Sequence, residues 1–347
     1  MEKRRLGRTD IDVSALCLGT MMYGDQIDER DAFKQMDVCL ERGVNFFDTA
    51  ELYTIPPKPE TQGESERIVG RWMKERGVRD RIVLATKVTG RSGLDYIRDG
   101  QNPRLARDQV FTAVERSLQN LQSDYIDLYQ THWPDRKAPL FGAELTGYAD
   151  YRDDWIAFEE TLGAIGDLQD QGKIRHFGVS NETGWGVMKQ LKLSDDGKAP
   201  RIHSIQNAYN LVNRYFEIAL AEIAMQEQVG LLAYSPIGQG VLTGKYLDGP
   251  APSGSRGALF GRLDRYETPS ADDAVRAYVA LARQFDLDPA AFAMQLVTTR
   301  CFVTSNIFGA SSEDQLRTIL DSVDIAWTEE METAVNSIHA RLPNPCP

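Results

Sequence analysis

What the 347-residue sequence lacks narrows its class first. Its four cysteines, Cys17, Cys39, Cys301 and Cys346, are scattered, with no Cys-x-x-Cys and no Cys/His cluster at metal-ligand spacing. That pattern argues against a disulfide framework or a zinc module. The first three stand among apolar residues and are expected to be buried, reduced thiols, as in a reducing cytoplasm. Nothing approaches the run of about 18 apolar residues that spans a bilayer. The basic start Met1-Glu2-Lys3-Arg4-Arg5 is not followed by the apolar segment of a signal peptide. Positive charge is also in deficit: 39 Lys and Arg face 51 Asp and Glu, a formal charge of −12. Such a balance disfavours non-specific binding to nucleic acid and adhesion to anionic membranes. The expectation is a soluble, cytoplasmic protein acting on a small molecule, with a homo-oligomer compatible and nothing that specifies one.

What is present is a repeated alternation. Two short segments, Arg4 to Leu6 and Asp12 to Leu16, flank the turn residues Gly7-Arg8-Thr9-Asp10 and read as a β-hairpin. Apolar runs then alternate with amphipathic helices. The runs are Leu16 to Thr20, Val44 to Phe47, Ile82 to Val88, Tyr125 to Thr131, Ile174 to Val179, Ile202 to Gln206, Leu231 to Tyr234 and Phe302 to Ile307. Near-continuous apolar strands mean a sheet buried on both faces. About eight such units predict an α/β protein of the (β/α)₈ TIM-barrel class, one domain over residues 1–347, with the hairpin (about 4–18) capping one end. The rival is a doubly wound open sheet. That fold would show GxGxxG after its first strand, whereas the first run here ends Gly19-Thr20-Met21-Met22-Tyr23-Gly24. Two long irregular stretches, about 133–153 and 236–270, are expected to be functional loops.

Active sites of such barrels lie at the carboxyl ends of the strands, and there the runs end in reactive side chains. The second run delivers Asp48 and, just beyond, Tyr53; the third delivers Lys87; the fourth delivers His132. A free phenol, with a pKa of about 10, is a poor acid at neutral pH. An ammonium beside it favours phenolate and eases proton loss. Lys87 is suited to supply that charge, and a buried lysine needs a carboxylate such as Asp48 to stay protonated. His132 is placed to orient a substrate oxygen or relay its proton. The set describes a proton donor beside an oxyanion site. Without a nucleophile it requires a cofactor to supply hydride or another group. A glycosidase using Asp48 and Glu51 leaves Lys87 and His132 unexplained.

These residues sit in motifs that resemble the aldo-keto reductase superfamily: Phe47-Asp48-Thr49-Ala50 with Tyr53, Ala85-Thr86-Lys87-Val88, Gln130-Thr131-His132-Trp133, Gly178-Val179-Ser180-Asn181, Gln206-Asn207-Ala208-Tyr209-Asn210 and Tyr234-Ser235-Pro236. The likeness runs in order from Arg5-Leu6-Gly7 to Gly309-Ala310-Ser311 and is nearest the branch of Tas-like bacterial reductases and potassium-channel β subunits. It implies NADPH-dependent reduction of aldehydes and ketones in a barrel whose bottom the hairpin closes. Position by position it implies Tyr53 as general acid, Lys87 and Asp48 tuning it, and His132 orienting the carbonyl. Ser180, Asn181 and Gln206 would hold the nicotinamide carboxamide, with Tyr234 stacked on its ring. The alternative it carries is an NADPH-bound regulatory or sensing subunit; His132 favours the enzyme, because channel β subunits have asparagine there.

The stretch Gly238-Gln239-Gly240-Val241-Leu242-Thr243-Gly244-Lys245 lacks the glycine spacing and the Ser/Thr of a P-loop. By the resemblance this loop, with Ser235, Pro236, Gly240, Leu242 and Lys245, passes over the cofactor pyrophosphate. Arg256 offers a forked contact for a 2′-phosphate. Gly309, Ser311 and Gln315, leaving a strand and opening a helix, are expected at the adenosine end. The sequence departs from the family at Thr318-Ile319, where family members commonly carry polar side chains for the adenine amine. Cofactor affinity is therefore expected to lean on Arg256. Tyr23, Trp133, Phe141, Tyr148 and Tyr151 are expected to wall a substrate pocket of broad scope.

Overall fold

The structure, a computed structural model, describes residues 1–139, 141, 154–261 and 263–347. A two-stranded antiparallel hairpin, β1 (Lys3–Arg5) and β2 (Asp12–Ser14), precedes everything else. Eight parallel strands follow: β3 (Leu16–Gly19), β4 (Phe46–Asp48), β5 (Val83–Val88), β6 (Ile126–Thr131), β7 (Ile174–Ser180), β8 (Ile202–Ala208), β9 (Gly230–Tyr234) and β10 (Val303–Phe308). They close in sequence order, β10 pairing with both β9 and β3, so the expected (β/α)₈ barrel is the observed fold.

Strand periodicity sorts each run into an inner and an outer set. In β4, Phe46 joins the inner cluster with Cys17, Val83, Ala85, Leu128 and Leu232, whereas Phe47 joins the outer cluster and stacks on Trp72 of α2 (Glu64–Arg76) at 5.3 Å. The hairpin completes the inner cluster: Leu6 and Val13 pack against it and plug the end where the strands begin. Gly7 makes that fit possible, because its φ is +56° and a Cβ there would lie 2.3 Å from the carbonyl oxygen of His203 at the start of β8. His176 and His203 meet edge to face at 5.2 Å at this same end, remote from the strands' carboxyl termini.

Helices α1 (Glu29–Glu41), α2, α3 (Arg107–Leu121), α4 (Phe158–Asp170), α5 (Gly184–Asp195), α6 (Leu220–Glu227), a short α7 (Arg256–Phe260), α8 (Ala271–Gln284) and α10 (Glu313–Asp321) follow the amphipathic pattern or its loops. Two helices depart from it. Between β9 and β10 the sequence pattern marks one helix, but the chain forms α8 and then α9 (Pro289–Thr298). Asp288 caps α9 by accepting from the Ala290 and Ala291 amides, and Pro289 occupies its first turn. Most of α9 is buried on all sides, so it carries no apolar stripe to detect. The terminal α11 (Glu329–Arg341) buries only Met331 and Val335, too narrow a stripe to read. The cysteine expectation also needs correction: Cys301 is exposed in the turn before β10, and Cys346 is buried instead. Among the described residues no helix is long and apolar enough to cross a membrane, and no His/Cys/Asp/Glu group is arranged to hold a metal.

Candidate active site

Lys87 sits inside the barrel on β5, two positions past Ala85, so its side chain follows the same inward direction. It is fully buried, and its ammonium has three donors to place. All three are used: Nζ reaches Asp48 Oδ2 at 2.5 Å, the Thr49 carbonyl at 2.8 Å and the Tyr53 hydroxyl at 3.3 Å. The other Asp48 oxygen accepts from Gln206 Nε2 at 2.9 Å and Gln130 Nε2 at 3.1 Å. A carboxylate and an ammonium are thus satisfied in a dry interior, with one phenol left between them and the cavity above.

The electrostatics follow from burial and pairing. Burial alone would push the Lys87 ammonium down, but the charge and hydrogen bond of Asp48, with those of Tyr53, outweigh it and hold the group above its usual value. The ammonium therefore keeps its charge. For Tyr53 the effect of Lys87 has the expected sign, favouring phenolate, but burial outweighs it. Burial raises the phenol above 10.0 and Asp48 adds to the rise, while Lys87 only opposes it. Lys87 thus limits an upward shift; it does not produce a depressed phenol. His132 lies edge to face with Tyr53, ring centres 5.5 Å apart, and its Nδ1 is buried with no hydrogen-bond partner among the described residues. Burial, reinforced by the Lys87 charge, drives the imidazole well below 6.5. The ring is neutral at pH 7 and can direct a carbonyl oxygen by a hydrogen bond.

A cavity of about 1390 Å³ opens above this set, larger than the roughly 300–1,000 Å³ of pockets for drug-sized ligands. Its floor includes Asp48, Tyr53 and His132, with Ser180, Asn181, Gln206 and Tyr234 beside them. Ser180 Oγ donates to the Gln206 carbonyl at 2.7 Å, and Asn181 Nδ2 donates to the His132 carbonyl at 2.8 Å. The Gln206 amine is committed to Asp48, which leaves its amide oxygen as the group able to meet a ligand amide. Asn181 and Ser235, the residues after β7 and β9, both have positive φ (53° and 57°), a conformation that bulky side chains avoid and that concentrates at functional sites. Further along, Pro236, Gly240, Lys245 and Arg256 line the cavity, then Gly309, Ser311 and Gln315 at its far end.

Two expected residues lie elsewhere. Tyr23 is fully buried, its hydroxyl donating to Gln35 at 3.1 Å, and it packs in the outer core. Leu242 is buried in the apolar cluster beneath the glycine-rich loop with Val241 and Tyr278. Neither lines the cavity. Trp133 does, and Phe141 meets its ring edge at 5.9 Å; Tyr148 and Tyr151 fall outside the described residues. Several contributors went unassigned in the sequence, among them Gln130, Leu52 and Arg265. Gln130 alternates inward with Leu128 on β6, a period-two signal that could have placed it. Leu52 and Arg265 line the cavity from loops, where periodicity says nothing.

A phenol, an ammonium and a carboxylate thus meet at the carboxyl ends of the strands of a parallel barrel, where barrels of this class carry their active sites. Comparison with known proteins gives the class: the model of the Aldo/keto reductase family matches residues 15–340. The chain is 43% identical over its whole length, and the whole of the relative's, to the protein tas of Escherichia coli. It is 32% identical to the uncharacterized oxidoreductase YrpG of Bacillus subtilis, covering 97% of this chain and 96% of that one. It is 29% identical to a probable voltage-gated potassium channel subunit beta of Arabidopsis thaliana, covering 94% and 92%. The chain belongs to the aldo/keto reductase family, on the side shared by tas and the channel β subunits, and is an oxidoreductase.

Proposed function

We propose that the protein reduces aldehydes and ketones to alcohols with NADPH, Tyr53 giving the proton. The observation that carries this reading is the threefold bonding of the Lys87 ammonium, which ends on the Tyr53 hydroxyl at the cavity floor. Tyr53 protonates the carbonyl oxygen, and the phenolate left behind is stabilised by Lys87, whose own charge Asp48 maintains. Neutral His132 aims that oxygen at the phenol. Solvent returns the proton to Tyr53.

The residues present fit a dinucleotide. The cavity is larger than a simple carbonyl compound needs, and Gly240, at φ +97°, holds a backbone conformation that side chains rarely adopt and brings the main chain close to the Lys245 ammonium arm. Ser180, Asn181 and the Gln206 amide oxygen would hold the nicotinamide amide beneath the Tyr234 ring. Lys245 would face the pyrophosphate, Arg256 the 2′-phosphate, and Gly309, Ser311 and Gln315 the adenosine. When bound, the cofactor supplies hydride to the carbonyl carbon. Cys17, Cys39, Cys301 and Cys346 are free thiols, which agrees with a reducing cytoplasm.

The identity to channel β subunits favours one second reading, an NADPH-bound regulatory subunit. Stopped-flow absorbance separates the two. Rapid oxidation of bound NADPH on mixing with an aldehyde panel, abolished in Tyr53→Phe, supports the reductase; no oxidation with any aldehyde overturns it.

A further inference from the structure

We infer that Gln130 is a positioning residue, which locks the Gln206 amide with its oxygen toward the cavity and so fixes the grip on the nicotinamide; the inference rests on the dinucleotide placement of the reductase reading above. Gln130 stands on β6, two positions past Leu128 of the inner apolar cluster, and is fully buried. A buried primary amide is costly unless its groups are bonded. Both ends of this one are: Nε2 donates to Asp48 Oδ1 at 3.1 Å, and Oε1 accepts from Gln206 Nε2 at 3.2 Å. Gln206 Nε2 also donates to Asp48 Oδ1, at 2.9 Å, which closes a triangle of side chains from β4, β6 and β8. In the barrel order β7 separates β6 from β8, so the Gln130–Gln206 contact crosses the interior and is no by-product of strand pairing.

The chemistry of the triangle sets its direction. The Asp48 carboxylate, whose other oxygen holds the Lys87 ammonium, only accepts hydrogen bonds. Each glutamine must therefore turn its NH₂, not its oxygen, toward Oδ1. With the Gln130 NH₂ fixed in that way, its oxygen is the acceptor that takes the second N–H of Gln206. Both N–H bonds of Gln206 are then used, and its oxygen is left to the cavity, which Gln206 lines. Asp48 alone would give the amide one bond, and the terminal torsion of a glutamine is broad. The second bond, from Gln130, fixes its plane. The Gln206 main chain is held independently, its carbonyl accepting from Ser180 Oγ at 2.7 Å and from the Asn181 amide at 2.9 Å. Loss of the Gln130 amide therefore loosens the Gln206 side chain and leaves the strand end in place.

The test is the binding of NADP⁺ and of its 3-acetylpyridine analogue, in which a methyl ketone replaces the carboxamide and offers the Gln206 oxygen no N–H. Tryptophan fluorescence reads both dissociation constants, since Trp133 lines the cavity. The wild type should bind NADP⁺ the tighter. Gln130→Met should shrink the ratio of the two constants about three- to tenfold, the worth of one neutral hydrogen bond. Gln206→Met should remove the preference, and the double variant should lose no more, because Gln130 acts through Gln206. Gln130→Glu keeps an acceptor for Gln206 and should retain more of the ratio than Gln130→Met. A packing role alone would weaken both dinucleotides equally and keep the ratio in Gln130→Met, which overturns the inference. So does a wild type without the preference, or a Gln130→Glu that loses the ratio as fully as Gln130→Met. A ratio lost in Gln130→Met sustains the inference even where no aldehyde is reduced, an outcome that sinks carbonyl reduction and leaves the dinucleotide site standing.

Discussion

Two buried ion pairs start from the end of β4 and the turn after it, and they differ in what they can do. Asp48 pairs with Lys87 and Glu51 with Arg98, both inaccessible to water. Glu51 grips the Arg98 guanidinium through both oxygens at 2.7 and 2.8 Å, and also accepts the Thr89 amide at 2.6 Å. Its own amide donates to the Lys87 carbonyl at 3.3 Å. This pair ties the loop bearing Tyr53 to the end of β5, and neither partner reaches the cavity. The Asp48–Lys87 pair spends its third donor on a phenol that does reach it. Burial and complementary charge are common to both, so they do not define a site. A third ionisable group open to a ligand does.

Removing that third group is the largest break. Tyr53→Phe leaves both ion pairs and deletes only the proton donor. Its kcat for aldehyde reduction should fall about 10²–10⁴-fold, while the melting temperature moves little. A kcat within a factor of three of the wild type would mean that the phenol is not the acid.

Cutting each pair sharpens the contrast. Lys87→Met and Arg98→Met each strand a buried carboxylate, so chemical denaturation should show a loss of about 3–5 kcal/mol in both. Only Lys87→Met should change the chemistry. Tyr53 must carry its proton to act, and its pKa lies above 10.0. The wild-type rate of reduction should therefore stay level through neutral pH and fall only as pH passes that raised value. Without Lys87 the phenol rises further and the fall moves to still higher pH, on a lower plateau. Arg98→Met should keep the wild-type profile at whatever stability remains. An equal displacement of the profile in both variants would erase the distinction between the pairs.

The two ends of the barrel respond alike to acid and differ in what else the histidine does. His203, at the hairpin end, is pushed down to about 4 from 6.5, first by burial and then by the neighbouring His176. Its folded pKa is the depressed one, so between pH 6.5 and about 4 the unfolded chain takes up a proton that the folded chain refuses. Stability is then lost as pH falls through that window. After discounting for partial exposure the loss is about 1.5 kcal/mol. His203→Gln should flatten this part of the urea midpoint against pH without affecting kcat, whereas His132→Gln should flatten it and also impair turnover. A profile as steep in His203→Gln as in the wild type would mean that His203 takes no part in the proton uptake.

Much of this was written in the sequence, because a strand buried on both faces announces itself as an apolar run and the barrel rule then locates its reactive end. Asp48, Lys87, His132 and Gln206 were legible on that ground, and the aldo-keto reductase resemblance added their roles. Glu51–Arg98 was not, since nothing local in the chain signals a partner on a short turn 47 residues away. The same blindness hid α9, whose uniformly apolar surface has no face, and misplaced Tyr23 and Leu242, which sit in motif positions but point into the core. The sign of the Tyr53 shift was likewise a three-dimensional quantity. Adjacency to a lysine can be guessed from motifs, but the depth of burial that outweighs it cannot.

The smallest expected effect concerns the cavity's far end, where exposed Gly309, Ser311 and Gln315 stand in place of a buried pair. Ile319 lines the cavity there, an apolar wall at the end proposed for the adenine. Arg256, at the start of α7, lines it too, next to Ser255, whose side chain caps that turn by accepting the Ala258 amide. If the 2′-phosphate takes up the fork of Arg256, Arg256→Ala should raise the NADPH dissociation constant about tenfold and leave that for NADH nearly unchanged, the worth of one charge-assisted contact. Ile319→Asn should tighten both cofactors modestly, since it offers the adenine a partner common to the two. Fluorescence titration reads all four constants. An unchanged NADPH constant with an unchanged preference over NADH in Arg256→Ala would move cofactor discrimination away from α7 and leave Lys245 as the cation to test.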